Sequence, residues 1–134
     1  MEIDRRTALA LGITGASALL LGSAESGVAE EVKQLAPGVE MRVLKVLPVQ
    51  IPGFSKVRWR DITWQPGAKF GPTTMKNAMI CEIRGGPLEQ HIEGQDPKTL
   101  QPGDTYVCHI GMVEWDVNTG TTPSTMRVID LLTA

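Results

Sequence analysis

From Val39 to the C-terminus, apolar and polar residues alternate in short runs, each cut by a turn signal. Val39, Met41 and Val43 alternate with Glu40 and Arg42, a period of two that predicts a strand with one buried face. Pro52-Gly53 marks a turn, and Val57–Trp64 mixes β-branched, aromatic and charged residues as a half-buried strand does. Pro66-Gly67 ends that strand. Met79–Ile83 is a brief apolar run closed by Gly85-Gly86-Pro87. Leu88, Gln90 and Ile92 then alternate with Glu89, His91 and Glu93, so His91 is expected to face solvent. Turns follow at Gly94–Pro97 and at Pro102-Gly103-Asp104, leading into a strand over Thr105–His109. Gly111 and Asn118-Thr119-Gly120 bound the next strand, and Met126–Leu132 forms the last. Short strands at this spacing predict an all-β sandwich or closed barrel.

The first part of the chain follows a different pattern. Thr7–Gly22 is apolar on every side and shows no helical stripe; Arg5 and Arg6 precede it and Gly22-Ser23-Ala24 follows. This layout predicts a signal segment over residues 1–24, and Asp4-Arg5-Arg6-Thr7-Ala8-Leu9 resembles a twin-arginine signal. Ala8 and Ala10 stand where that motif often has Phe and Lys. The expected location is the bacterial periplasm or beyond, with no stable membrane span once the segment is removed. Residues 25–38 read as a linker or short helix, and 39–134 as one folded domain. The formal net charge of −2 leaves no basic field for nucleic acid. Cys81 and Cys108 form no CxxC pair. They either pair if the fold brings them together or serve as two small buried hydrophobes.

The order of turns resembles that of the cupins. Pro66-Gly67-Ala68 and Ile83-Arg84-Gly85 resemble the two ends of the first cupin motif. Leu100-Gln101-Pro102-Gly103-Asp104 resembles the step between motifs. His109-Ile110-Gly111-Met112-Val113-Glu114-Trp115, followed by Asn118-Thr119-Gly120, resembles the second motif. The resemblance spans Val39–Leu132 and implies a jelly-roll β-barrel (a double-stranded β-helix). Cupins bind a metal through two histidines and a glutamate of the first motif and one histidine of the second. The resemblance places these positions near Gly71, Thr73, Ala78 and Glu114, and only Glu114 is a metal ligand type. No cofactor is therefore expected; a metal, if one were bound, would be Fe, Mn or Zn.

If Ala78 points inward, Ile80 and Glu82 share its face and, with Glu114, Thr73 and Met75, line a ligand pocket. Thr74 lies in the same loop. Glu114, His109 and Glu82 are the candidates for acid-base chemistry. Met79, Cys81 and Ile83 would then face outward and suit a homodimer surface. Trp59, Trp64 and Trp115 read as core or interface anchors, Trp115 on the opposite face of its strand from Glu114. The expected function is metal-free binding of a small molecule or an accessory-subunit role. The alternative is a cupin-type isomerase, lyase or dioxygenase using Glu114 and His109.

Overall fold

The structure, a computed structural model, describes residues 31–133. The expected signal segment, and residues 25–30 of the expected linker, lie outside the described residues. Ten strands follow in order: β1 (Glu31–Ala36), β2 (Val39–Ile51), β3 (Phe54–Trp64), β4 (Lys69–Thr74), β5 (Ala78–Gly85), β6 (Leu88–Ile92), β7 (Lys98–Leu100), β8 (Thr105–Cys108), β9 (Val113–Val117) and β10 (Ser124–Leu132). They form a six-stranded sheet in the order β1-β2-β3-β10-β5-β8 and a four-stranded sheet in the order β4-β9-β6-β7. All pairings are antiparallel. The expected all-β jelly roll is the observed fold.

The core lies between the sheets. Val39, Met41 and Val43 from β2 meet Ile62 and Trp64 from β3, Met126 and Val128 from β10, and Leu88 and Leu100 from the smaller sheet. Burying each such side chain contributes about 1.5–3 kcal/mol. Asn118 fastens the sheets at one end. It is fully buried, and its Nδ2 donates to the carbonyls of Trp64 (3.0 Å) and Thr122 (2.8 Å). Its Oδ1 accepts from the Gly120 amide at 2.9 Å. The Asn-x-Gly signal in the sequence is thus a side-chain-braced turn that fixes the end of β9.

Two expectations need correction. Glu31–Ala36 is a strand, not a linker or short helix: its backbone pairs with β2 from Glu31↔Val43 to Ala36↔Val39. Tertiary pairing outweighs a weak local helical tendency. On β5 the faces are reversed. Met79, Cys81 and Ile83 are buried, whereas Ile80 is 41% exposed and Glu82 pairs with Arg84 at the surface (3.5 Å). A one-residue error in the anchoring position moves every side chain of a strand to the other face. The expectation was anchored on Ala78, and the inward set begins at Met79.

Candidate functional site

A cavity of about 240 Å³ lies between the sheets. That is near the small end of ligand sites, which run from about 300 Å³ upward. Its apolar wall includes Phe70, Met75, Met79, Ile62 and Met126. Thr73 and Met75, both expected at the pocket, line it, as does Glu114. Ile80 and Glu82 do not, because they occupy the outer face of β5. His109 is exposed in the β8–β9 turn and lines an adjoining depression with Lys76, Asn77 and Ala78. It is not part of a pair with Glu114. His91 stacks outside on Trp115, with ring centroids 5.1 Å apart, and neither residue lines the cavity.

The polar end of the cavity is a cluster that the sequence reading largely missed. Glu114 on β9 is 3% exposed and accepts hydrogen bonds from both sheets. Tyr106 Oη on β8 donates to its Oε2 at 2.7 Å, and Gln90 Nε2 on β6 reaches the same oxygen at 3.3 Å. Cys108 Sγ donates to Oε1 at 3.3 Å. Asp116, two residues on and on the same face, places a second buried carboxyl beside Glu114. Burial first, then the Glu114 charge, pushes the Asp116 carboxyl well above the usual carboxylate range. Burial, reinforced by Cys81, Asp116 and Glu114, likewise raises the Tyr106 phenol. The Cys108 thiol is raised by its hydrogen bond with Cys81, by burial and by Glu114, so it acts as a protonated donor. Both cysteines are free and buried on the cavity wall. A period-two signal was present for these residues. Tyr106 and Cys108 share a face of β8, and Glu114 and Asp116 share one of β9. What the sequence did not contain was the sheet-to-sheet contact that brings the two pairs together.

The other end of the cavity is basic. Asp130 on β10 is fully buried and accepts from Arg60 Nε (2.7 Å), Arg58 Nε (2.8 Å) and Asn77 Nδ2 (3.1 Å). Burial alone would raise its carboxyl. The bonds from Arg60, Asn77 and Arg58 more than offset this and hold it below the ordinary value. Arg60, Lys76 and Asn77 all line the cavity. Met75, next to Lys76, is held by two backbone bonds: its amide to the Met112 carbonyl (2.8 Å) and its carbonyl from the Gly111 amide (2.9 Å).

No family model matches the sequence, and no curated protein matches it at a significant level. Solved structures do match the fold. KdgF from Halomonas sp. superposes with a TM-score of 0.58 at 17% identity, over 75% of this chain and 86% of its own. An RmlC-like cupin from Shewanella frigidimarina gives 0.59 at 14% identity, over 76% and 83%. A sugar phosphate isomerase of the cupin superfamily from Silicibacter pomeroyi gives 0.62 at 19% identity, over 78% and 73%. The fold is that of the cupins. At these identities the likeness extends to the fold alone.

A cupin fold raises the question of a metal, and the donor set here does not fit one. Of the positions expected to correspond to ligands, Gly71 has no side chain, Ala78 lines the neighbouring depression, and Thr73 offers only a hydroxyl. No histidine lines the cavity. The oxygens of Glu114 are already taken by Tyr106, Gln90 and Cys108. Among the described residues no group of three or more His, Cys, Asp and Glu side chains is placed to hold a metal ion. Such a set is unlike the imidazole and carboxylate donors that suit Fe, Mn or Zn.

Proposed function

We propose that this is an exported, cupin-like binding protein that works without a metal and takes a small, largely apolar molecule into the cavity between its sheets. The carrying observation is the contrast within that cavity: thioether and aromatic walls around a buried carboxyl pair whose hydrogen bonds come from both sheets. Such a pairing of apolar volume with a few fixed polar groups is how small-molecule sites obtain both affinity and orientation. Two buried polar atoms of cavity-lining residues, Trp64 Nε1 and Asp116 Oδ1, have no partner of their own. Buried polar groups without partners cost about 1–3 kcal/mol each, so a ligand polar group that reached them would add to affinity. The test is calorimetric titration with short-chain compounds alongside metal analysis of protein purified without chelators. One ligand per chain is expected, with Glu114→Gln weakening it about tenfold or more. Absence of binding, or one metal ion per chain, would overturn the reading.

A second reading, an acid-base enzyme, is favoured by the buried Glu114 and Asp116 carboxyls on one face of β9, with the Asp116 carboxyl raised by burial and by its neighbour. A carboxyl shifted upward in this way suits proton transfer. In this version Asp116 and Tyr106 take the role first expected of His109. Its signature is a pH-dependent turnover abolished by both Glu114→Gln and Asp116→Asn and unaffected by His109→Ala.

A further inference from the structure

We propose that the ligand is a monocarboxylate, with its charged group at the basic end of the cavity against Arg60 and Lys76 and its apolar body toward Phe70, Met75 and Met79. This rests on the binding role proposed above and names the ligand class for it.

The charge balance at the two ends decides the point. At the basic end, one carboxylate, Asp130, faces two guanidinium groups, Arg58 and Arg60. One positive charge is left over. Arg60 Nη2 also reaches Asp130 Oδ1 at 3.1 Å, whereas Nη1 meets only the Met41 thioether at 3.4 Å, a weak acceptor. Arg60 thus pairs with Asp130 through Nε and Nη2, and the charge that Asp130 does not balance is shared between Arg60 and Arg58. The Arg60 side chain is 13% exposed and presents Nη1 from a poorly hydrated wall, where an anion is favoured. Lys76, exposed and lining both the cavity and the neighbouring depression, adds a second cation with no ion-pair partner among the described residues. Asn77 already spends its amide on Asp130 and the Ala78 carbonyl, which fixes its position on the wall.

The acidic end does not compete for a cation. Glu114 already receives three donors, from Tyr106, Gln90 and Cys108, which satisfy its two oxygens. Among the described residues, the donors on the rest of the wall that meet no oxygen acceptor are Trp64 Nε1, Arg60 Nη1 and Lys76 Nζ. A wall rich in unused donors selects an acceptor, and the excess positive charge selects an anionic one. A carboxylate matches a guanidinium better than a compact cation would match any group here.

The experiment compares hexanoate, hexanol and hexylamine, which share one apolar body, by titration calorimetry at low and high salt. Hexanoate is expected to bind about tenfold or more tighter than hexanol, the worth of a charge-assisted hydrogen bond. Only its affinity should fall as salt is raised. Lys76→Gln removes an exposed side chain and leaves no buried group unpaired. It should weaken hexanoate about two- to fivefold and leave hexanol unchanged. Equal binding of hexanol and hexanoate would overturn the carboxylate assignment while leaving the binding role intact. Tightest binding of hexylamine would also overturn it and make Glu114 the governing charge. If none of the three bound, the binding role itself would fall and this assignment with it.

Discussion

Asp116 and Asp130 are both buried carboxyls, yet their surroundings drive them in opposite directions. Asp116 is buried beside another acid, which raises its carboxyl; Asp130 is buried beside two arginines, which hold its carboxyl below the ordinary value. The consequences for stability follow from linkage. Asp116 binds its proton more tightly when folded, so its contribution is present below the ordinary carboxyl range and is lost as pH rises through its elevated folded value. Asp130 contributes above the ordinary range and loses that contribution as pH falls toward its lowered folded value. Denaturant melts across acid to mildly alkaline pH should therefore show stability declining on both sides. In Asp116→Asn the decline toward higher pH should flatten, and an unchanged slope would show that the Asp116 carboxyl is not raised in the folded protein. Asp130→Asn leaves the buried Arg60 without its charge partner. It should cost about 3–5 kcal/mol, measured as a drop in the unfolding midpoint. Neither partnership was legible in the sequence. Asp130 lies some seventy positions from Arg58 and Arg60, and only the β3–β10 register brings them together.

The strand pair β4–β9 carries the most constrained contact at the site. Gly71 adopts φ +108°, and a Cβ there would lie 2.6 Å from the Glu114 carbonyl oxygen and 2.8 Å from Trp115 Cβ. The pairing shifts register here, between Phe70 and Thr73. A side chain at this position would push β9, and Glu114 with it, away from β4. Gly71→Ala is expected to cost at least about 2 kcal/mol, combining backbone strain with overpacking. Gly53→Ala, at φ +93° with nothing near its Cβ, carries only the backbone part, about 1 kcal/mol. Comparing the two in thermal melts separates the terms, and equal losses would mean that the close approach is relieved without effect. The elements themselves were largely readable, because Pro-Gly and Asn-x-Gly pairs mark where strands must turn whatever surrounds them. The facing of β5 was also legible but was misread: Glu82 and Arg84 alternate with Cys81 and Ile83 and mark the outer face, and only the exposed Ile80 and the anchoring on Ala78 obscured that signal. Glu114 was found because its place in the order of turns is local, whereas its donors Tyr106 and Gln90 come from other strands.

Across the whole molecule, reversing β5 also relocates the surface available for self-association. Met79, Cys81 and Ile83 belong to the core, and the outer face of the six-stranded sheet carries Val107, Ile80, Ile129 and Trp59 in register across β8, β5, β10 and β3. Val107 is 61% exposed. A homodimer through this row is the expected assembly, since exposed apolar rows mark interaction surfaces. Light scattering should give twice the chain mass for the native protein and the chain mass for Ile80→Glu combined with Val107→Glu. A monomeric native protein would rule this assembly out. The cavity is turned away from that row, toward the opposite side of the sheet, so pairing would leave it open. The two backbone bonds that hold Met75 to the Gly111–Met112 turn then acquire a kinetic meaning. A cavity wall tied at Met75 to that turn cannot swing outward for its visitor, so it sorts by girth before affinity is tested. Straight chains of different lengths would arrive at similar rates, and a branched isomer of the same formula would arrive more slowly.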